Sequence, residues 1–170
     1  MNVQKKILVS IDPGSTVCGY AIFRFDQHRA EFKEVGLLKA KATLNPYKRI
    51  EILLGDIETL LKSVKPHAVV IETTTGKVGG KRHKGGGAGL SIYGVAVGAI
   101  WISVLRLGYE TNLIKENEWT GKIPKDERIE NIALLVGDWI LKGDPGGDAA
   151  DAVGLGRYYL SKTFTGIKHV

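Results

Sequence analysis

Four carboxylates standing at the ends of apolar segments are the side chains of this chain best suited to chemistry. Asp12 closes the run Lys6-Ile7-Leu8-Val9-Ser10-Ile11, just before the turn Pro13-Gly14-Ser15-Thr16. Glu72 closes Ala68-Val69-Val70-Ile71, and Asp148 and Asp151 belong to Asp148-Ala149-Ala150-Asp151-Ala152. Acids three apart on a helix project from one face, and the alanines around them let that face lie close to a sheet. Singly, each acid has a plainer role as a turn residue, a strand end or a helix-terminal dipole partner. Collected at one place they repel, and such a cluster persists mainly where divalent cations sit among the carboxylates. Magnesium takes hard oxygen ligands, keeps waters and binds phosphate oxygens. Two such ions about 4 Å apart can activate a water and stabilise the leaving oxygen of a phosphodiester. Phosphodiester hydrolysis is therefore the expected chemistry, provided the fold brings the acids together.

The elements that must position them follow from short apolar runs and turn residues. Strands are expected over Lys6–Asp12 and Val17–Phe25, joined as a hairpin, with a third over Glu31–Leu38. Asn45-Pro46 opens a helix in which Tyr47, Ile50, Leu53, Leu54, Ile57, Leu60 and Leu61 repeat at helical spacing until Lys65-Pro66. Ala68–Ile71 is a buried strand, so the order strand, helix, strand implies a parallel crossover. Leu90–Leu107 reads as a helix apolar on most of its circumference, and Tyr109–Ile114 as a last strand. Ile123-Pro124 starts another amphipathic helix, with Ile129, Ile132, Val136, Trp139 and Ile140 on its apolar face. After the break Gly143-Asp144-Pro145-Gly146-Gly147, a final helix runs from about Asp148 to Leu160. A single domain over residues 1–170 is expected, with a mobile basic loop at 73–89 and a loose tail from about 163.

Composition narrows the partner. There are 24 Lys and Arg against 18 Asp and Glu, a net charge of +6, which favours an anionic partner, nucleic acid first. Lys77, Lys81, Arg82 and Lys84 lie on the Gly-rich loop directly after Glu72, where a flexible cationic segment can follow phosphates. His83 is read as a charge partner there, and the loop lacks the Lys-Ser/Thr ending of a P-loop. Cys18 is the single cysteine, which excludes an intramolecular disulfide, and its apolar strand makes it a core thiol. No long apolar leader opens the chain, and no run is expected to reach a membrane span, so an intracellular, cytoplasmic setting is expected. A sheet covers only one side of the Leu90–Leu107 helix, so its other side is expected to form a homodimer interface through Tyr93, Gly94, Gly98, Ile100 and Trp101. Trp119 is read equally as a core cover and as a DNA-facing residue.

The segment Ile11-Asp12-Pro13-Gly14-Ser15-Thr16-Val17-Cys18-Gly19-Tyr20 resembles the opening motif of RuvC-type Holliday junction resolvases. Glu72 and Asp148-Ala149-Ala150-Asp151-Ala152 match that family's other two acidic motifs in the same order, so the resemblance covers nearly the whole chain. It implies an α/β, ribonuclease-H-like fold with a five-stranded mixed sheet and helices on both faces. It implies a homodimer that binds four-way DNA junctions and makes paired nicks, with two magnesium or manganese ions per active site. Asp12, Glu72, Asp148 and Asp151 would be the metal ligands, and Lys115, matching a basic residue near the active site, would stabilise developing charge or position the scissile phosphate. Lys122 and Lys125 would join the loop cations on the DNA surface. Where the family places an aromatic residue shortly after the Glu, this chain has Thr73-Thr74-Thr75.

Other readings compete. A ribonuclease-H-like enzyme acting on RNA would carry the same acids. The Asp-Pro-Gly-Ser-Thr turn also resembles the phosphate loop of actin-like ATPases and sugar kinases, which need two such domains around the nucleotide. A non-catalytic junction-binding module would not need the full acidic set.

Overall fold

The computed structural model describes residues 5–74, 88–121, 123–164 and 168–169. Its elements in chain order are β1 (Lys6–Asp12), β2 (Val17–Phe25), β3 (Arg29–Lys39), α1 (Pro46–Val64), β4 (Ala68–Thr73), α2 (Ala88–Arg106) and β5 (Glu110–Lys115). There follow α3 (Glu116–Trp119), α4 (Lys125–Val136), α5 (Trp139–Gly143), α6 (Asp148–Thr163) and β6 (Lys168–His169). The sheet order is β5-β4-β1-β2-β3-β6, with β1 antiparallel to β2 and parallel to β4. The five expected strands are thus present in a mixed sheet. The segment expected to be a loose tail adds a sixth, two-residue strand beside β3.

The central strand β1 is apolar without alternation because both of its faces are covered. Val9 and Ile11 pack with Leu53, Ile57 and Leu61 of α1 and with Ile100 and Val104 of α2. Leu8 packs on the opposite face with Ile132 of α4 and with Ala149, Ala152 and Leu155 of α6. Side chains alternate along a strand, so Asp12 shares the α6 face with Leu8 and Ser10. In β4, Val69 and Ile71 face α1 and α2 while Ala68 and Val70 face α6. Glu72, two beyond Val70, therefore shares the face of Asp12. Parallel pairing matches Ile11 with Ile71, so the two acids emerge side by side one residue later.

Two local devices fix the approach of α6 and of the Asp12 turn. Ser10 Oγ donates to the Ala152 carbonyl at 2.6 Å. Gly19 lies directly under the start of α6, where an added Cβ would fall 2.0 Å from the Asp148 carbonyl oxygen. On the other side, Asn45 caps α1 by accepting from the Tyr47 N–H at 2.9 Å, as Asn-Pro implied. Within α1, Arg49 Nε donates to the Ser15 carbonyl at 3.0 Å and Nη1 to the Ala42 carbonyl at 2.9 Å. The turn that follows Asp12 is thereby tied to α1.

One expectation is corrected. Over Gly89–Arg106, α2 is long and apolar enough to cross a membrane by length and composition, with a mean hydropathy of 1.5. The helix read over Leu90–Leu107 as apolar on most of its circumference is this same segment, and its 18 residues reach the length of a span. Ala96, Val97, Ile100 and Val104 of this helix are buried against the protein, while Val95, Trp101, Ile102 and Leu105 are exposed. Replacing Gly19 by Ala should cost about 1–3 kcal/mol, because backbone rather than a flexible side chain must yield. Urea unfolding of Gly19→Ala measures this loss.

Candidate active site

Asp12, Glu72 and Asp151 are all buried, at 7%, 9% and 6% exposure, and Asp148 is half-buried. The three segments converge: burial raises the proton affinity of the Asp12 carboxyl well above the usual range, and the charges of Glu72, Asp151 and Asp148 raise it further. Among the described residues, the Asp12 carboxylate has no hydrogen-bond or ion-pair partner. Glu72 is pushed up to about 7 by burial and by the charges of Asp151 and Glu116, against the lowering effect of a hydrogen bond from Trp119. Asp148 is raised by burial, then by Asp144 and Asp151, with Lys125 opposing.

Helix α6 carries its two acids at the required place because Asp144 holds its N-terminus. That side chain accepts from the Asp148 N–H at 3.0 Å, the Ala149 N–H at 2.8 Å and the Ala150 N–H at 3.2 Å. These are the orphan donors of a first helical turn, and a carboxylate there also meets the positive end of the helix dipole. Gly147 completes the break with φ 75°, a left-handed conformation that favours glycine. The sequence marks the break but not the reach of Asp144, which acts four to six residues ahead of its own position.

Cations approach the acids from α4. Lys125 Nζ lies 2.9 Å from Asp151 Oδ2, and Arg128 Nη2 lies 3.1 Å from Asp151 Oδ1. Burial lowers the proton affinity of Lys125, but its bond to Asp151 and the charges of Asp151, Asp12 and Asp148 outweigh that and raise it overall. Lys125, expected among the DNA-binding cations, is an exposed residue whose ammonium reaches Asp151. Arg128 escaped the sequence reading, although Lys125 and Arg128 are three apart and so share a helix face, just as Asp148 and Asp151 do. Lys115 ends β5 as an exposed side chain, beside Thr73 in register. Tyr93, expected at an interface, has a buried hydroxyl without a hydrogen-bond partner among the described residues. Burial raises its proton affinity, and the charges of Glu72 and Asp12 add to the effect. Gly94 and Trp101 are exposed on α2, and Gly98 is half-buried. Lys77, Lys81, Arg82, Lys84 and Lys122 lie outside the described residues. Cys18 is fully buried, and burial pushes its thiol far up, as a core thiol requires.

Among the described residues, no group of three acids, histidines or cysteines has the spacing of a formed metal site. The donor set nevertheless fits a hard divalent cation: all four candidate ligands are carboxylates, and buried Asp12 has no hydrogen bond among the described residues to satisfy its charge.

A mixed sheet covered by helices on both faces, with acids on strands β1 and β4 and on helix α6, is a ribonuclease-H-like fold. The family model described as crossover junction endodeoxyribonuclease RuvC matches residues 8–78. The RuvC of Fusobacterium nucleatum is 31% identical over 65 residues, 38% of this chain and 34% of that protein. The match thus spans about a third of that relative's length. The RuvC of Chlorobaculum parvum is 26% identical over 162 residues, 92% of this chain and 82% of that protein. In fold, Thermus thermophilus RuvC, solved in complex with a Holliday junction substrate, superposes with a TM-score of 0.68 at 14% identity, covering 95% of this chain and 97% of that one. The chain is thus similar to RuvC proteins in its first half by sequence and over nearly its whole length in fold.

The raised proton affinities fix a sign for pH. A carboxyl raised in the folded state gives its stabilisation below its unfolded value and loses it as pH rises through the folded value. Glu72 alone places that loss between the ordinary Glu range and about 7. In EDTA the protein should melt at a higher temperature at pH 5 than at pH 7.5. Asp12→Asn should raise the melting temperature at pH 7.5 by about 2–4 °C for each kcal/mol of repulsion removed. Calorimetric melts of both proteins at the two pH values check this.

Proposed function

We propose that this protein is a structure-selective endonuclease that resolves four-way DNA junctions by metal-dependent phosphodiester hydrolysis. The observation that carries the reading is the convergence of Asp12, Glu72, Asp148 and Asp151, whose charges act on one another from three separate segments. A set of repelling buried carboxylates has little structural use without cations. Two magnesium or manganese ions bound there would supply a water of lowered pKa and a clamp on both oxygens of the displacement. Asp12, Glu72 and Asp148 would hold them, with Asp151 joining as Lys125 or Arg128 releases an oxygen.

The chain's own groups account for the remaining needs. Lys125, kept protonated by the surrounding acids, provides a cation beside the place where a phosphate would enter. Lys115, exposed at the end of β5, would meet the strand from the adjoining edge. The net charge of +6 favours a polyanionic substrate. An intracellular setting and branched DNA as partner accord with this reading.

Paired nicks need two active sites, and α2 offers a surface for joining two copies. Val95, Trp101, Ile102 and Leu105 are exposed on it, and a cavity of about 260 Å³ beside it is lined by Thr73, Thr74, Tyr93, Gly94, Val97 and Gly98, with Leu90. A homodimer through this face would bury that apolar surface and set two acidic centres on one junction.

Two outcomes are expected. With a synthetic four-way junction and Mg²⁺ or Mn²⁺, the protein should give paired nicks on opposed strands, and Asp12→Asn should abolish cutting while retaining junction binding by gel shift. Equal cutting of linear duplex, or cutting by Asp12→Asn, would overturn the reading. Ile102→Asp should shift the protein from dimer to monomer in analytical ultracentrifugation and remove the pairing of the nicks.

A further inference from the structure

Two of the acids are joined by something other than charge. Trp119 donates its indole N–H to Glu72 Oε2 at 2.7 Å. Its ring edge rests on α6 at Gly154, where an added Cβ would come within 2.6 Å of Trp119 Cζ3. The Arg128 guanidinium sits over the same ring, 5.1 Å from its centroid, and donates through Nη2 to Asp151 Oδ1 at 3.1 Å. Arg128 Nη1 donates to the Ile123 carbonyl at 3.3 Å, while its buried Nε has no partner among the described residues. The ring face, more than a full set of hydrogen bonds, therefore sets the plane of this guanidinium. One indole thus spans the interval between an acid on β4 and an acid on α6.

An indole adds no charge to offset the acids. What it adds is direction. The last torsion of a Glu side chain is broad, so a carboxylate takes a defined plane only when a partner holds it. A donor on Oε2 fixes that plane and leaves Oε1 without a protein partner among the described residues. The Gly154 contact has a parallel meaning. The residue that would crowd the ring is the smallest one available, on the helix that also carries Asp148 and Asp151.

We propose that Trp119 is a positioning residue of the acidic centre: it orients the Glu72 carboxylate toward a bound cation and, through Arg128, sets where Asp151 stands relative to it. The inference rests on reading that centre as a metal-dependent nuclease site. Groups that orient a metal ligand commonly change metal affinity by 10- to 100-fold when removed.

Two variants separate direction from packing. Trp119→Phe keeps a ring and removes the N–H, whereas Gly154→Ala keeps the N–H and pushes the ring off α6. Mn²⁺ binding to each full-length protein is measured by calorimetry without DNA, alongside melting in EDTA and junction cleavage across a Mn²⁺ titration. Trp119→Phe should bind Mn²⁺ roughly tenfold or more weakly. Its cleavage rate should recover most of the wild-type value at saturating Mn²⁺, and Gly154→Ala should move affinity in the same direction. A lower melting temperature with unchanged Mn²⁺ affinity in Trp119→Phe would make the residue a mere core cover and overturn the proposal. Should the wild type bind Mn²⁺ yet leave junctions intact, the nuclease reading fails, while the affinity comparison still decides the role of Trp119.

Discussion

Asp12 sits at the end of the central strand, buried, surrounded by the charges of Glu72, Asp148 and Asp151, and without a hydrogen bond among the described residues. Burying a carboxylate in this way is costly, and like charges nearby add to the cost. Much of the surrounding structure is disposed about that charge. Side-chain alternation in β1 and β4 sends Asp12 and Glu72 to one face, and parallel pairing sets them abreast. The alanine-rich start of α6 closes over them because Gly19 leaves room for its backbone. Asp144 organises the first turn of that helix, and Arg49 ties down the turn after Asp12. The fold's stability supports an arrangement that is locally unfavourable.

The partial compensation comes from α4 and α3. Lys125 and Arg128 engage both oxygens of Asp151, and Trp119 engages one oxygen of Glu72. Asp12 is left as the acid with the least internal relief. It is therefore the place where an added cation gains most. This division of labour among four chemically similar groups follows from which helix face each one meets, and charge counting alone does not reveal it.

Much of the centre was legible in the sequence, because the acids terminate apolar runs and the period of each run says which face its last residue takes. Asn45-Pro46 gave the start of α1 for the same local reason. What escaped depends on contacts between segments distant along the chain. Trp119 reaches Glu72 across 47 positions, and Arg128 reaches Asp151 across 23. Asp144 caps a helix from beyond the usual capping position, so its role is invisible to a capping rule. Lys125 was placed among the DNA-binding cations, and it is exposed, as Lys usually is. Its position three residues before Arg128 carried the signal that both can reach Asp151. The apolar character of α2 was read from Leu90–Leu107, but its length was not set against a membrane span; Val95, Trp101, Ile102 and Leu105 are exposed on it.

The central claim is that the four carboxylates form one cation-binding centre built around Asp12. Anomalous diffraction from crystals soaked in Mn²⁺ tests it directly. The account predicts manganese peaks bonded to the Asp12 carboxylate and shared with Glu72 on one side and the α6 acids on the other. Crystals with Asp12 accessible and no manganese on it, or with manganese held by other residues alone, would contradict the account.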